Sequence, residues 1–562
     1  MKQFHDICEE KFGESPFHYM TGPQYVHKMV LINITSNLSL PSDKFERTKV
    51  IHEYAVNSKW CALVNNEYWF ARKALRGGRT DVRKIYEKLT PEQKARGEKI
   101  VYQDIVSMYP YVQVSRMYPV GRPTINIYDE DYYPCLICAH PSQGNTADIK
   151  CTCTFDLYQK RRHRDQKLEI VENYTQPNVH ELCQDANFFG FICAKVIPPK
   201  NLFHPVLVHW SLEEDKSYAS CEPLTDVFTT VEFQEAIRQG YTCERIFRYD
   251  QYKKAEGLWN PFLKDLYIEK MANSEPPPSE EKRQRLISRY SELFGEEYGN
   301  KIMESFSRWE NNPAKRCIFK MMLNSGWGKH CQRPVMPKTS LLDPEKSCDY
   351  WNETIEDIRD QKLVLKQYEP VGGRYLITTE EIGSEKKKIF HNNYVPAAIF
   401  VPAYGRLMLL EWLTKLGKRV LYHDTDSIIY KYNPLLENIP KDDIWGCWDE
   451  EKISIEGITE FVSTGPKSYA LKTENTEIVK LKGVSVKHSH RFLINFESVK
   501  DLIFSTLAGC AKIIHVPQFS FKYVIGKGIK TIEFLKQLRF NPEELKGDLK
   551  DDLYVYPKGY EE

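Results

Sequence analysis

No charge of one sign dominates this 562-residue chain: 78 Lys and Arg stand against 77 Asp and Glu, for a net charge of +1. That balance excludes a histone-like polycation, although it leaves room for local basic tracks. Uninterrupted apolar runs approaching the ~18 residues of a membrane span are lacking. The opening Met-Lys-Gln-Phe-His-Asp-Ile-Cys-Glu-Glu turns acidic without an apolar core and is unlike a secretory signal. Internal repeats and long low-complexity tracts are lacking as well. The 15 cysteines are odd in number and thinly spread. That usage fits reduced intracellular thiols rather than a disulfide scaffold, and it names no compartment.

What the chain does have is bulk and rings. Its length exceeds the ~250–300 residues at which single cores stop growing, so several domains are expected. Hydrophobic residues make up 41% and charged residues 28%, which argues against wholesale disorder. The 34 Tyr, 27 Phe and 10 Trp suit large cores and stacking surfaces. Three successive prolines, 276–278, predict an exposed connection. After them, Leu286, Tyr290, Leu293, Phe294, Tyr298, Ile302 and Phe306 form one helical stripe over Arg283–Trp309. A further helix is predicted from Pro313 at its first turn to Gly326. Lys99-Ile-Val-Tyr and Arg419-Val-Leu-Tyr read as strands ending on acids. Residues 340–393 read as β-rich, and beyond Lys487 helical and strand patterns mix.

The sharpest local signal is Tyr422-His-Asp424-Thr-Asp426-Ser, flanked by apolar runs as in a hairpin whose turn carries acids. In an extended segment residues i and i+2 point the same way, so Asp424 and Asp426 are expected to face one spot. Two carboxylates placed together repel, and a divalent cation is the usual remedy. The competing reading is a plain surface turn, which Asp also suits. Asp104, in Asp104-Ile-Val-Ser107-Met-Tyr109-Pro110, sits where a strand ends; taken alone it reads as a cap or turn residue. On the predicted 313–326 helix, Arg316, Lys320 and Asn324 are successive i+4 positions. Two cations and an amide in a row suit a polyphosphate, or else a solvated basic face.

The order of these elements changes their meaning. An acid after a strand, a basic helix and an Asp-x-Asp hairpin form the set that two-metal nucleotidyl transfer needs. The chain resembles the family B DNA polymerases, in particular the protein-primed type of phages, linear plasmids, adenoviruses and Maverick/Polinton elements. The family patterns D-x-x-S-L-Y-P, K-x-x-x-N-S-x-Y-G and Y-x-D-T-D-S correspond to residues 104–110, 320–328 and 422–427. Met108 stands for Leu and Trp327 for Tyr. Gly77-Gly78-Arg79 is similar to the family's Gly-Gly tract near the template, within a segment holding six basic residues and one acid between Arg72 and Lys84. Lys467-Ser-Tyr469 resembles the primer-contacting Lys-x-Tyr motif, and Lys480-Leu-Lys482-Gly the basic tract after it.

The resemblance implies an α+β right-hand fold with an antiparallel-sheet palm, helical fingers and a mixed thumb. It implies Asp104 and Asp426 as ligands of two Mg²⁺ ions (Mn²⁺ as a substitute), with Asp424 a neighbouring catalytic carboxylate. Ser107, Tyr109, Arg316, Lys320, Asn324 and Trp327 would hold the incoming dNTP, with Tyr109 a steric gate against ribose. Gly77, Gly78, Arg79, Tyr422, Thr425, Lys467, Tyr469 and Lys482 would contact primer–template DNA, largely through its backbone. The expected segments are a remnant at 1–70, palm at 71–125 and 394–483, and an insertion at 126–255 facing a priming (terminal) protein. Fingers are expected at 256–331, a β-rich insertion at 332–393 and the thumb at 484–562. Before Asp104, Asp6, Asp43 and Asp81 lie in no setting like the family's proofreading motifs, so no 3′–5′ exonuclease is expected. Cys135, Cys138, Cys151 and Cys153 offer four thiolates for a zinc option, against ordinary reduced cysteines. Two other readings stay open: a catalytically inactive DNA-binding remnant of a mobile element, and an Asp-x-Asp glycosyltransferase. Nothing in the latter class requires Lys320, Asn324 or Tyr109.

Overall fold

The computed structural model of the chain describes Met29 and residues 65–129, 169–211, 214–259, 262–332, 338–342, 348–360, 362–371, 374–381, 394–486, 490–524 and 528–562. The four candidate zinc cysteines lie outside the described residues. Helices and antiparallel sheets are mixed along the chain, as an α+β right hand requires. One short pair, Thr124–Ile127 with Glu169–Glu172, is parallel.

The central sheet has five strands: β1 (Thr80–Val82), β2 (Lys99–Ile105), β3 (Val420–Asp424), β4 (Ser427–Tyr432) and β5 (Trp448–Glu450). Their spatial order is β1-β3-β4-β2-β5, antiparallel throughout, so elements more than 300 residues apart in the chain become neighbours. Alternating side chains leave the sheet by both faces. Val101, Ile105, Ile428 and Tyr430 pack with Leu409, Trp412 and Leu413. On the other face Tyr102 and Ile429 meet Phe461, Val462 and Tyr469 of a four-stranded sheet. Asp104, two residues after Tyr102, therefore shares the second face.

Six helices frame the end of this sheet: α1 (Met108–Ser115), α2 (Phe262–Ala272), α3 (Glu280–Phe294), α4 (Glu296–Ser305), α5 (Pro313–Ser325) and α6 (Val395–Leu416). The stripe over 283–309 is two helices rather than one. Gly295 adopts φ 91°, outside the helical range, and turns the chain between α3 and α4. α5 starts with Pro313 in its first turn, and the Asn312 side chain accepts from the Lys315 amide at 3.1 Å. Its Phe319, Met322 and Leu323 are buried, leaving the 316/320/324 stripe on the opposite side. The β-rich expectation for 340–393 holds for three strands, 338–342, 363–371 and 374–381. It missed a helix, Cys348–Arg359. No helix among the described residues is long and apolar enough to cross a membrane.

One buried ion pair ties the sheet's surroundings together. Arg406 of α6 gives Nε and Nη2 to the Glu232 carboxylate at 2.7 and 2.8 Å, and Nη1 to the carbonyls of Arg76 and Gly77, both at 2.8 Å. Arg406→Met strands a buried carboxylate and should cost about 3–5 kcal/mol of unfolding free energy. Urea titration of the full chain measures this, and adding Glu232→Leu should recover much of the loss.

Candidate nucleotidyl-transfer site

The turn between β3 and β4 is a tight two-residue loop in which Asp424 pairs with Ser427. Thr425 takes φ 57°, and its amide donates to the Arg79 carbonyl at 2.6 Å, so the Gly77-Gly78-Arg79 tract grips the turn. This left-handed residue breaks the extended alternation expected for Asp-x-Asp. Asp424 is turned toward a ring of donors: Thr80 Oγ1 at 2.6 Å, Thr425 Oγ1 at 3.0 Å, Lys467 Nζ at 3.3 Å and the Tyr422 hydroxyl at 3.4 Å. Asp426 instead sits beside β2, where its carbonyl accepts from the Ile105 amide at 2.7 Å.

Asp104 lies opposite Ser427 on one side and Asp449 on the other. Burial, followed by the negative charges of Glu451, Asp426 and Asp449, pushes its carboxyl up to about 6. Asp426 is likewise pushed up to about 6, by burial and then by Asp424, with Lys320 and Lys467 opposing. Burial and mutual repulsion thus outweigh the nearby lysines in disfavouring the charged forms of both carboxyls. Among the described residues no three His, Cys, Asp or Glu side chains gather into a metal cage. Mg²⁺ commonly uses one or two carboxylates and completes its shell with water and substrate phosphate, so the Asp104/Asp426 donor set fits it.

The cations face these acids. Lys320 is exposed on α5, and its charge acts on Asp426. Arg316 donates Nε to Ser274 Oγ at 3.1 Å, and Asn324 is exposed one turn beyond Lys320. The motifs did not reveal Lys270, on α2. Its ammonium donates to Ser107 Oγ at 2.7 Å. Burial, then Arg316 and Lys320, lower its pKa to about 8, while Asp104 opposes that shift. The only sequence signal was a lysine on a helix that buries Phe262, Leu263, Leu266, Tyr267 and Ile268. Ser107, at φ 49° and ψ 51°, turns the chain from β2 into α1. Trp445 fixes this turn by donating Nε1 to the Ser107 carbonyl at 3.2 Å while stacking on Tyr267 of α2, ring centroids 4.0 Å apart.

Tyr109 follows at the second position of α1, its ring edge-on to Trp327 at 5.2 Å. Two glycines make its seat. A Cβ on Gly405 of α6 would lie 2.9 Å from Tyr109 Cε1 and 2.8 Å from Met108 Cε. A Cβ on Gly78 would lie 2.8 Å from Thr425 Cγ2 and 3.0 Å from the Tyr109 hydroxyl. Burial pushes the Tyr109 phenol up to about 12; Arg406 opposes, and Asp426 and Asp424 add to the rise.

Three residues expected to touch DNA are placed otherwise. Arg79 is buried and donates to the carbonyls of Pro205 and Val206 at 2.6 and 3.0 Å. Tyr422 and Tyr469 are buried too; the Tyr422 hydroxyl accepts from the Lys467 amide at 3.0 Å, and the Tyr469 hydroxyl donates to that of Tyr102 at 3.1 Å. They prop the hairpin from behind. Gly77, Lys467 and Lys482 remain exposed, and Lys467 takes φ 62°.

The family model for DNA polymerase type B, organellar and viral, matches residues 1–144. No curated protein matches the chain. Among solved structures it is similar to Phi29 DNA polymerase complexed with primer-template DNA and incoming nucleotide substrates. There the TM-score is 0.53 and the identity 14%, over 95% of this chain and 70% of that one. The Phi29 complex with single-stranded DNA gives a TM-score of 0.51 at 14% identity, over 96% and 70%. The chain thus has the right-hand fold of Phi29 DNA polymerase, and in its first 144 residues it matches the type B DNA polymerases of organelles and viruses.

Proposed function

We propose that this chain is a DNA-directed DNA polymerase that joins deoxynucleotides to a primer 3′-hydroxyl. The observation that carries this reading is the meeting of Asp104, at the end of β2, with Asp426, in the β3–β4 turn beside it, with Lys270 and Lys320 facing them. In the reaction the 3′-oxygen bonds to the α-phosphorus, the bond to the β-phosphate oxygen breaks, and pyrophosphate leaves; the hydroxyl proton passes to solvent. Two Mg²⁺ ions, held by Asp104 and Asp426, would lower the pKa of the 3′-hydroxyl and neutralise the leaving oxygen. Arg316, Lys320, Asn324 and Lys270 neutralise and orient the triphosphate, and Ser107 aims Lys270. Asp424, engaged by Thr80 and Lys467, keeps the turn in place beside Asp426. Tyr109 and Trp327 bound the sugar and base. Lys467, Lys482 and the Gly77-Gly78 backbone follow the DNA backbone.

In this reading residues 71–125 and 394–483 are palm, 256–331 fingers and 484–562 thumb. The 126–255 region is the one suited to a priming protein and 332–393 to encircling DNA. The direct test is extension of a labelled primer on a template with Mg²⁺ and dNTPs. Template-directed growth supports the proposal; DNA binding without growth in either Mg²⁺ or Mn²⁺ would favour the inactive-remnant reading instead.

Two further outcomes are expected. Gly405→Ala crowds the Tyr109 ring out of its seat and should lower dNTP incorporation efficiency by about tenfold, the rate equivalent of ~1.4 kcal/mol of overpacking. Single-nucleotide kinetics measure it. Metal binding should also depend on pH, because Asp104 and Asp426 must lose their protons to bind a cation. Mn²⁺ affinity, read by electron paramagnetic resonance, should be pH-independent above about 7 and fall steeply as the pH drops below about 6.

A further inference from the structure

The loop between β4 and β5 carries none of the proposed chemistry, yet its residues 442–447 hold the palm turn and the finger helices at once. Three bonds fasten it to the turn that follows Asp104. The Gly446 amide donates to the Val106 carbonyl at 3.0 Å, the Val106 amide to the Cys447 carbonyl at 2.9 Å, and Trp445 Nε1 to the Ser107 carbonyl at 3.2 Å. Gly446, at φ 82°, permits this approach, since a Cβ there would lie 2.5 Å from Tyr111 Cγ of α1. The loop's other contacts go to the helices. Trp445 is fully buried and lies flat on Tyr267 of α2, the ring planes 6° apart. The Trp445 amide donates to the Tyr290 hydroxyl of α3 at 3.3 Å, and that hydroxyl donates to the one on Tyr267 at 3.2 Å. At the loop's outer edge Asp442 and Asp443 face three cations of α3. Arg285 pairs with both acids, Lys282 Nζ lies 3.5 Å from Asp443 Oδ2, and Arg289 Nη2 lies 3.6 Å from Asp442 Oδ2.

Ser107 keeps its left-handed backbone, φ 49°, only because its surroundings fix it. It is also the residue whose hydroxyl receives the Lys270 ammonium at 2.7 Å. The Trp445 indole thus holds both ends of that bond. Its N–H grips the Ser107 turn, and its ring grips Tyr267, one helical turn before Lys270. We infer that Trp445 is a positioning residue for the incoming nucleotide, acting through Ser107 and α2 to keep Lys270 aimed beside Asp104. The Asp442 and Asp443 ion pairs keep the indole seated by pinning its loop to α3. The inference rests on the polymerase reading above. A tryptophan that only filled space would have no use for the bond to the Ser107 carbonyl, so that bond is where the two roles part.

Trp445→Phe removes the N–H and keeps a ring against Tyr267. Single-nucleotide kinetics of the full chain on primer–template with Mg²⁺ should show KM for dNTP raised about fivefold, the scale of one hydrogen bond. The kcat should stay within about twofold, and the Kd for primer–template DNA should not change. The decisive readout is a double-mutant cycle with Lys270→Met. In that background Trp445→Phe should alter kcat/KM by less than about twofold, because the group it positions is gone. Equal losses in both backgrounds, or an unchanged KM in the single variant, would overturn the inference. If Trp445→Phe folds poorly, Asp442→Asn with Asp443→Asn repeats the cycle from the surface. Asn at 442 still accepts from the Ile444 amide while the charge is removed. That pair should raise KM about threefold when Lys270 is present and leave it unchanged when Lys270 is Met; equal effects again count against the inference. A wild-type chain that extends no primer would instead sink the polymerase reading beneath it.

Discussion

Asp104→Asn combined with Asp426→Asn is expected to abolish primer extension, by roughly 10⁴-fold or more, the scale on which removing an essential charged group acts. The same change should leave the metal-free fold as stable or more so at pH 7. Both carboxyls have folded pKa values near 6, above the ordinary 3.8. A raised pKa stabilises the fold fully only below the unfolded value, and that contribution is lost as the pH rises through about 6. At neutral pH the two charges therefore oppose folding, and Asn removes them, for a gain of about 1–3 kcal/mol. Lost activity together with a melting point that holds or rises separates a functional role from a structural one. A double variant that extends primers normally would refute the assignment.

The second large effect concerns Lys270 and Lys320. Removing one charge from the triphosphate cradle, by Lys320→Ala or Lys270→Met, should lower kcat/KM for dNTP by about 10²–10³-fold, typical of one lost electrostatic donor. Lys270 carries a further signature. Its pKa of about 8 means that the free protein loses this charge just above neutral pH. The kcat/KM profile reports the free enzyme, so it should decline above about pH 8. Lys270→Arg keeps its charge throughout and should remove that alkaline limb. A Lys270→Met protein with unchanged kcat/KM would show that the lysine serves only Ser107 and the packing of α2.

The hairpin, the strand that ends on Asp104 and the Pro313 helix could be read directly, because each is announced by local chemistry: apolar runs about Asp-Thr-Asp, a β-branched run closing on an acid, a proline at a first turn. The sheet order could not, since β1 and β2 border β3 and β4 only after the chain has travelled more than 300 residues. Lys270 belongs to no motif, and its role exists only because α2 packs beside α5 and Ser107 turns toward it. The Arg406–Glu232 pair joins residues 174 apart, each unremarkable where it stands. Periodicity carried the 283–309 stripe straight through Gly295, because apolar spacing resumes in phase after a turn that only the backbone angle reveals. Tyr422 and Tyr469 match family positions, but their depth beneath the hairpin depends on the neighbouring sheet.

The most direct test is a crystal of the chain with primer–template DNA, Mn²⁺ and a non-reactive dNTP analogue. Two anomalous manganese peaks should appear, both touching Asp104 and Asp426, with the analogue's triphosphate against Lys270 and Lys320. Manganese bound elsewhere, or a triphosphate lying away from that helix pair, would contradict the account.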